Sequence, residues 1–345
     1  MEIINHKSGT DHERVVFGRE EASGYRGIIA IHSTRLGAAL GGARFWNYAS
    51  EADALVDVLR LARGMTYKNA LAGLPFGGGK SIIIGDNRTT EREELFRAHG
   101  RFVETLGGSY LTAEDVGTTT ADMEFVSRET RHVAGLAHRS GDPSPVTARG
   151  VFRAMQAAAR HRWGTDELAG RRVALQGCGH VGYFLAKELH EAGVELIVTD
   201  VERERVERVS RECLAESVRP EEIYAVEADI FAPCALGGIL NDETISQLRV
   251  EIVAGAANNQ LLDDRHGESL AARGILYAPD YAANAGGVIN GCIELLDWEQ
   301  SRARAKVEAI YDTLLEIFQR AETDGIPTYK AADQLAEARL EHAHA

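Results

Sequence analysis

The feature that most constrains this chain is a glycine motif that connects a strand-like stretch to a helix-like one. The motif reads Gly177-Cys178-Gly179-His180-Val181-Gly182 and directly follows the strand-like stretch 172–176. Asp200 ends the next strand-like stretch, 195–199, eighteen residues beyond the last glycine of the motif. This order of strand, G-x-G-x-x-G turn, helix and terminal acidic residue is the fingerprint of a dinucleotide-binding βαβ unit.

The fingerprint also predicts which dinucleotide binds. Backbone N–H groups of the turn and of the helix N-terminus would face the pyrophosphate. The Asp200 carboxylate would accept a hydrogen bond from the adenosine ribose 2′-OH and repel a 2′-phosphate, which favours NAD over NADP. Arg203 and Arg205 weigh against this preference, because a reoriented arginine can accept the phosphate. The alternative to a dinucleotide-binding motif is a glycine turn that serves only the packing of the helix on the strand.

The surrounding sequence extends this unit into a whole α/β domain. Strand-like runs recur at 172–176, 195–199, 230–233, 251–254 and 275–278, with helix-like segments at 146–163, 180–191 and 201–214. Such alternation predicts a Rossmann-type, doubly wound parallel sheet, and we expect an NAD-binding domain over 146–305. Turn formers are concentrated in 139–145, which we interpret as a hinge. Residues 1–138 also alternate between strand-like and helix-like pieces, which predicts a first α/β domain.

Two lysines in the first domain form a candidate active site. Lys68 lies in the run 64–70, and Lys80 follows three consecutive glycines, Gly77 to Gly79. A glycine run lets a ligand approach the backbone closely. Two ammonium groups beside one small pocket would lower each other's pKa, which makes a lysine a usable base near neutral pH. A phosphate-binding P-loop is disfavoured, because Leu74 stands where that motif requires glycine.

Composition excludes several classes of protein. The chain has 345 residues and a net charge of −14, which disfavours nucleic acid or an anionic membrane as a partner. Its four cysteines are scattered, so neither a disulfide framework nor a zinc site is expected, and no histidine spacing suits a metal. The sequence shows no signal peptide and no long apolar run, and we expect a cytoplasmic protein.

Several ordered blocks make the chain resemble the glutamate/leucine/phenylalanine/valine dehydrogenase family, and most of all its leucine and valine dehydrogenase branch. The similarity extends from about residue 30 to about residue 340. It rests on the blocks Leu59–Ala70, Thr112–Gly117, Pro143–Thr147, Ala232–Gly237, Gly255–Gln260 and Pro279–Gly287. By this resemblance the first domain is a catalytic and assembly domain joined by a C-terminal helix at about 318–345. The active site would lie in a cleft between the domains, and the chain would form a homo-oligomer.

The resemblance implies a role for each matching residue. Lys68 matches the lysine that pairs with the substrate carboxylate, Lys80 the lysine that activates water, and Asp115 the carboxylate that carries protons to and from the amino group. Such a set suits NAD-dependent oxidative deamination of an L-amino acid to a 2-oxo acid and ammonia. Thr147 and Asn258 match residues at the nicotinamide end of the cofactor, and Asn284 one near the reacting centre. His180 is a departure, since relatives usually carry Asn there.

The resemblance also indicates the substrate pocket. The matching positions are Leu40, Gly41, Met65, Ala113, Val288 and Gly291. None is charged, so a glutamate side chain would be buried without a partner, and apolar substrates such as leucine, valine or isoleucine are favoured. Close leucine dehydrogenases carry Val at the position of Gly291. Glycine there would deepen the pocket and admit phenylalanine or tryptophan, or it could serve helix packing, with Phe76 or Leu295 filling the space.

Two other functions are compatible with such a fold. A catalytically silent NAD(H)-binding sensor or scaffold would need only the cofactor domain, but such a protein would usually have lost one of the residues Lys68, Lys80 and Asp115. A 2-hydroxy acid dehydrogenase would call for a histidine–carboxylate pair near the substrate, and no motif offers one.

Overall fold

A computed structural model describes residues 11–136 and 141–342 and divides them into two compact units. The first unit comprises residues 11–136 and 141, together with 291–298 and 336–342. The second comprises 142–290 and 299–335. The segment that we interpret as a hinge, 139–145, begins with two residues that lie outside the described ones. The catalytic, assembly and cofactor roles of the domains remain predictions.

The first unit is built on a mixed six-stranded sheet. Its strands follow the order β1-β2-β5-β3-β6, and β4 also pairs with β5. β1 and β2 are antiparallel, as are β2 and β5, whereas β3 and β4 run parallel to β5. The strands are β1 Arg14–Glu20, β2 Tyr25–Ser33, β3 Ala39–Leu40, β4 Ala43–Trp46, β5 Gly77–Ile84 and β6 Tyr110–Leu111, and the helices are α1 Glu51–Leu71, α2 Glu93–Glu104 and α3 Thr120–Ser127.

Helix α1 packs directly on strand β5. The helix begins after Ser50, whose side chain accepts a hydrogen bond from the backbone N–H of Asp53, as expected of an N-cap residue. Its apolar face, which includes Leu55, Val58 and Leu59, is fully buried with Ile28 and Ile82 of the sheet. A Cβ atom at Gly78 would lie 2.0 Å from the backbone nitrogen of Thr66. The glycine run therefore serves the close approach of a helix to a strand.

The second unit has the predicted doubly wound parallel sheet. All of its strands are parallel, in the order β12-β11-β10-β7-β8-β9. Numbered from its own first strand, this is the order 3-2-1-4-5-6 of a dinucleotide-binding fold. The strands are β7 Arg172–Gln176, β8 Glu195–Thr199, β9 Glu216–Ser217, β10 Ile230–Pro233, β11 Ile252–Val253 and β12 Leu276–Tyr277.

Helices complete the second unit and link it to the first along the chain. They are α4 Ser144–Trp163, α5 His180–Glu191, α6 Arg203–Cys213, α7 Asp242–Gln247, α8 Arg265–Ala272, α9 Asp280–Ala283, α10 Gly286–Leu295, α11 Gln300–Glu308, α12 Ile310–Asp324 and α13 Thr328–His342. The chain passes from one unit to the other within α10 and within α13. Pro327 lies between the last two helices, because proline does not continue a helix. None of the helices in the described ranges is long and apolar enough to cross a membrane.

Candidate active site

Lys80 and Asp115 form a buried ion pair in the first unit. Lys80 is the fourth residue of β5, and Asp115 follows β6. The distance between Lys80 Nζ and Asp115 Oδ2 is 3.0 Å, and the two side chains are only 7% and 14% exposed. The backbone at Asp115 is fixed by Thr118, whose hydroxyl accepts a 2.8 Å hydrogen bond from the Asp115 N–H. Two groups that the resemblance implies for proton transfer are therefore in direct contact.

A third charged residue, Arg44, joins this pair. Its Nε donates a 3.2 Å hydrogen bond to Asp115 Oδ2, and its Nη1 lies 2.9 Å from Asp57 Oδ2. The hydroxyl of Tyr48 donates to the same Asp57 oxygen at 2.5 Å. Sequence reasoning missed these residues, because no motif connects strand β4 with a carboxylate 71 positions later. Their partly buried positions and opposite charges become visible only once the chain is folded.

The environment of Asp115 keeps its carboxylate charged. Burial alone would raise the pKa of this group, but the positive charges of Lys80 and Arg44 outweigh that effect and leave the pKa below its ordinary value. Arg44 responds in the opposite direction: burial favours a lower pKa, and the charges of Asp115 and Asp57 raise it above its ordinary value. At neutral pH the Asp115 side chain therefore carries a negative charge and can accept, but not donate, a hydrogen bond.

The candidate-site residues between positions 40 and 113 lie around β3, β5, β6 and α1. Gly41 follows β3, and a Cβ there would meet the Gly79 carbonyl oxygen at 1.7 Å and the Met65 side chain at 3.3 Å. Leu40 ends β3 and is buried, and Ala113 accepts a backbone hydrogen bond from Ala43 at 2.7 Å. Lys68 is half-buried in the last turn of α1, one turn beyond Met65.

Val288 and Gly291 occupy one face of helix α10, three residues apart. Both positions are half-buried. A Cβ built on Gly291 meets no atom within 4 Å outside its neighbours and the backbone of its own helix. The packing alternative, in which Phe76 or Leu295 fills this space, thus receives no support from the described part of the chain.

The three fingerprint glycines in the second unit occupy three different environments. Gly177 has φ +102°, a conformation that favours glycine, so the chain can turn sharply after β7. At Gly182 a Cβ would stand 1.9 Å from the Gly177 carbonyl oxygen, so only glycine lets α5 pack against the turn. At Gly179 a Cβ would meet nothing within 4 Å among the described residues, which leaves this side of the turn open.

Asp200 is held against the same turn. Its Oδ2 accepts a 2.7 Å hydrogen bond from the backbone N–H of Cys178, and its side chain is 7% exposed. His180 is exposed as the first residue of α5, and Val181 follows it, half-buried. The Cys178 thiol inside the motif is buried, and this burial raises its pKa to about 12. It is therefore a neutral packing group and no nucleophile.

Thr147, Asn258 and Asn284 are also placed by the second unit. The Asn284 side-chain NH₂ donates to Asn258 Oδ1 at 2.8 Å and to the Ala256 carbonyl at 3.0 Å. Its Oδ1 is buried and has no hydrogen-bond partner in the described residues. Thr147 lies in the first turn of α4, and its hydroxyl would be 3.1 Å from a Cβ at Gly287. Asn258 and Asn284 follow β11 and β12 along the chain, as the fingerprint follows β7 and Asp200 follows β8.

Two family models match the chain. The model described as Glu/Leu/Phe/Val dehydrogenase, dimerisation domain, matches residues 12–132. The model described as Glutamate/Leucine/Phenylalanine/Valine dehydrogenase matches residues 140–202 and 195–345. The chain belongs to this family. It is an amino acid dehydrogenase with a nucleotide-binding domain, which implies NAD(P) as its cofactor. No group of three or more His, Cys, Asp or Glu side chains suited to a metal ion occurs in the described ranges.

This amino acid dehydrogenase is similar over nearly its whole length to dehydrogenases that are named for different amino acids. It is 55% identical to the leucine dehydrogenase of Thermoactinomyces intermedius over 99% of this chain and 94% of that protein. It is 49% identical to the valine dehydrogenase of Streptomyces albus, over 100% and 96%. A solved structure, that of L-tryptophan dehydrogenase from Nostoc punctiforme, is 45% identical, with a TM-score of 0.85 and 97% of both chains covered.

Proposed function

We propose that the protein catalyses the reversible, NAD-dependent oxidative deamination of apolar L-amino acids to 2-oxo acids and ammonia. The observation that carries this proposal is the buried contact between Lys80 and Asp115, at 3.0 Å, in a chain of this dehydrogenase family. A catalytically silent sensor would have no need for a buried lysine–carboxylate pair at this position. The leucine and valine dehydrogenases at 49–55% identity support an aliphatic substrate.

Asp115 and Lys80 carry out the proton transfers. Asp115 starts as a carboxylate and takes a proton from the substrate ammonium group, which produces the neutral amine. NAD⁺, if held by the second unit, would supply the acceptor for the hydride of the substrate Cα. Lys80, in its neutral form, takes a proton from the water that adds to the resulting iminium carbon. The protonated Asp115 returns its proton to the amino nitrogen and then, as a carboxylate again, takes the proton of the new hydroxyl group while the C–N bond breaks, so that ammonia leaves and the 2-oxo acid remains.

Lys68 and the apolar pocket hold the substrate in this proposal. The ammonium group of Lys68 pairs with the substrate α-carboxylate, and Asn284 lies near the reacting centre. Leu40, Gly41, Met65, Ala113, Val288 and Gly291 surround the side chain. Because none of them is charged, a glutamate side chain would be buried without a partner, at a cost of about 2 kcal/mol or more. The open space at Gly291 admits aromatic side chains as well, as the similarity to a tryptophan dehydrogenase suggests.

The cofactor proposal rests on the fit of the second unit to NAD. The open side of Gly179 leaves room for the pyrophosphate beside the N-terminus of α5, where His180 and Val181 begin the helix. Asp200 offers a carboxylate to the adenosine ribose diol, and this negative charge disfavours the 2′-phosphate of NADP. Thr147 and Asn258 hold the nicotinamide end. Each of these assignments follows from the resemblance together with the position of the residue in the unit.

We further propose that the two domains have different roles. Residues 1–138, joined by the C-terminal helix at about 318–345, carry catalysis and oligomerisation, and residues 146–305 bind NAD. The family description of residues 12–132 as a dimerisation domain supports a homo-oligomer. Cytoplasmic location is supported by the four cysteines, all of which are free thiols.

The proposal is tested by NADH formation, followed through its near-ultraviolet absorbance, with six L-amino acids. The panel comprises leucine, valine, isoleucine, phenylalanine, tryptophan and glutamate, each with NAD and with NADP. We expect turnover of the apolar amino acids with NAD, little with NADP and least with glutamate. Turnover of glutamate above leucine would contradict the pocket assignment, and equal kcat/KM with both cofactors would contradict the role of Asp200. Binding of NADH without any turnover would favour the silent sensor.

A further inference from the structure

Arg44 occupies an unusual position beside the proposed proton-transfer pair. It lies on β4, whose residue 44 pairs with Ile82, two residues beyond Lys80 on β5. Its guanidinium bridges two carboxylates, with Nε at 3.2 Å from Asp115 and Nη1 at 2.9 Å from Asp57. The Arg44 side chain is only 18% exposed. The planar guanidinium of Arg44 therefore connects the Asp115 carboxylate to helix α1, which carries Asp57 and also Lys68.

Asp57, the second carboxylate bound by the Arg44 guanidinium, is itself held in place. Asp57 Oδ2 accepts from Arg44 at 2.9 Å and from the Tyr48 hydroxyl at 2.5 Å, which fixes this carboxylate from two directions. A guanidinium bound at both ends has little freedom to rotate away from Asp115. The arrangement thus runs from Tyr48 through Asp57 and Arg44 to Asp115, with every contact inside the first unit.

The chemistry of the two cations beside Asp115 differs. A lysine can release its proton, and the proposed reaction requires Lys80 to be neutral when it accepts a proton from water. An arginine stays charged throughout the working pH range. If Lys80 were its only counter-ion, a buried Asp115 carboxylate would lose its compensating charge at one stage of the reaction, which is strongly unfavourable. Arg44 supplies a positive charge that remains in place at every stage.

We propose that Arg44 is a positioning residue for Asp115, which it keeps oriented and charge-compensated while Lys80 changes its protonation state, and that Asp57 and Tyr48 hold Arg44 in place. This inference rests on the proposed function, because it presupposes that Asp115 and Lys80 transfer protons. It assigns no contact between Arg44 and the substrate. The pKa of Asp115 agrees with it: burial raises this pKa, but the positive charges of Lys80 and Arg44 outweigh burial and leave it below its ordinary value.

The test compares Arg44→Gln with Arg44→Lys. The glutamine removes the charge and keeps a hydrogen-bond donor, whereas the lysine keeps the charge and loses the fork. We expect Arg44→Gln to lower kcat by about tenfold to a hundredfold, the range typical of a misplaced catalytic group, with KM for the amino acid changed by less than about threefold. Arg44→Lys should recover a large part of kcat.

The pH profile separates positioning from a general loss of stability. A proton-accepting group gains proton affinity when a permanent positive charge beside it is removed. The acidic limb of the kcat/KM profile should therefore move to higher pH in Arg44→Gln and stay in place in Arg44→Lys. Asp57→Asn, which releases the far end of Arg44 but leaves its charge, should lower kcat less than Arg44→Gln and leave the limb unmoved.

A second arginine–aspartate pair in the same unit provides the matched control. Arg92 binds Asp122 through two hydrogen bonds of 2.7 Å, and Asp122 is 1% exposed. Within the part of the chain that the structure describes, neither residue forms a hydrogen bond or ion pair with Lys80 or Asp115. Arg92→Gln should lower the melting temperature without moving the acidic limb. If the limb moves equally in both variants, or if Arg44→Gln keeps wild-type kcat and profile, the inference is wrong.

Asp115→Asn distinguishes this failure from a failure of the proposed function. If Asp115→Asn is inactive and Arg44→Gln behaves as wild type, only the role of Arg44 is refuted. If Asp115→Asn keeps near-wild-type kcat, the catalytic assignment itself is refuted, and the role of Arg44 with it.

Discussion

The candidate sites of the two units consist of different chemical groups. In the first unit the site consists of charged side chains, with Lys80 and Arg44 both bonded to Asp115. In the second unit it consists mainly of backbone, shaped by Gly177, Gly179 and Gly182 around an open turn. In our proposal the first arrangement transfers protons, and the second positions the cofactor. Substitutions should therefore act through charge in the first unit and through added volume in the second.

The largest expected effect is on the charged site. Lys80→Ala removes the proposed base and should lower kcat by about a thousandfold, within the range for acid–base groups. Cofactor binding should be unchanged, because the fingerprint is in the other unit. The change is measured as kcat with leucine and as the Kd for NADH by fluorescence titration.

Lys330→Ala is the matched control for this variant. Lys330 also forms an ion pair, with Glu268 at 2.7 Å, but its side chain is 46% exposed and far from Asp115 in sequence. It should keep wild-type kcat. Near-full kcat in Lys80→Ala would refute the proposed mechanism and remove the contrast between the two units.

The second prediction concerns the glycine turn. Gly182→Ala places a Cβ 1.9 Å from the Gly177 carbonyl oxygen, so the turn must shift. We expect weaker NADH binding, by about tenfold or more, together with a melting temperature lowered by several degrees, as overpacking typically costs about 1–3 kcal/mol.

Gly179→Ala distinguishes a loss of space for the cofactor from a disturbance of helix packing. Its Cβ meets nothing within 4 Å among the described residues, so stability should be unchanged while NADH binding weakens, because the methyl group occupies the open side of the turn. Calorimetry and NADH titration of both variants provide the comparison. Unchanged NADH binding in Gly179→Ala would contradict the placement of the pyrophosphate there.

A smaller effect is expected on cofactor choice. Asp200→Ser removes the carboxylate that disfavours a 2′-phosphate, so the ratio of kcat/KM for NAD over NADP should fall by about tenfold to a hundredfold. The neighbouring Arg205, 3.9 Å from Asp200, would then be available to a phosphate. Glu204→Gln removes an exposed charge nearby and should leave the ratio unchanged. An unaltered ratio in Asp200→Ser would show that the preference originates elsewhere.

The two units also differ in how far the sequence predicts them. In the second unit, β7, α5, β8 and β10 begin and end where the sequence places them, because strand, turn and helix signals are local there. In the first unit, the short strands β3 and β4 are not predicted, since two to four residues carry too little periodicity. The glycines before Lys80 are visible in the sequence, but their role in the packing of α1 on β5 is not.

The candidate sites, like the folds of the two units, are only partly predictable from the sequence. A motif such as 177–182 is contiguous, so its geometry follows from the chain itself. The bond from Arg44 to Asp115 joins residues 71 positions apart, and it exists only because the segment after β6 lies beside the start of β4, where Glu114 pairs with Ala43. Charged networks of this kind depend on tertiary structure, and one sequence contains no local signal for them.

The smallest expected effect concerns the side chain that the enzyme prefers. Gly291→Val fills space in which a Cβ meets no described atom within 4 Å, so the variant should fold normally. If that space belongs to the substrate pocket, the kcat/KM ratio of tryptophan or phenylalanine to leucine should fall by about tenfold or more, in line with about 1–3 kcal/mol per methylene-sized change.

Gly274→Val is no suitable control, because Gly274 has φ +69° and valine would be strained there. Gly64→Ala, in α1 with equally open space, is suitable and should leave the ratio unchanged. An unchanged ratio in Gly291→Val, with normal stability, would place the determinant of side-chain preference elsewhere in the first unit, among Leu40, Met65 and Ala113.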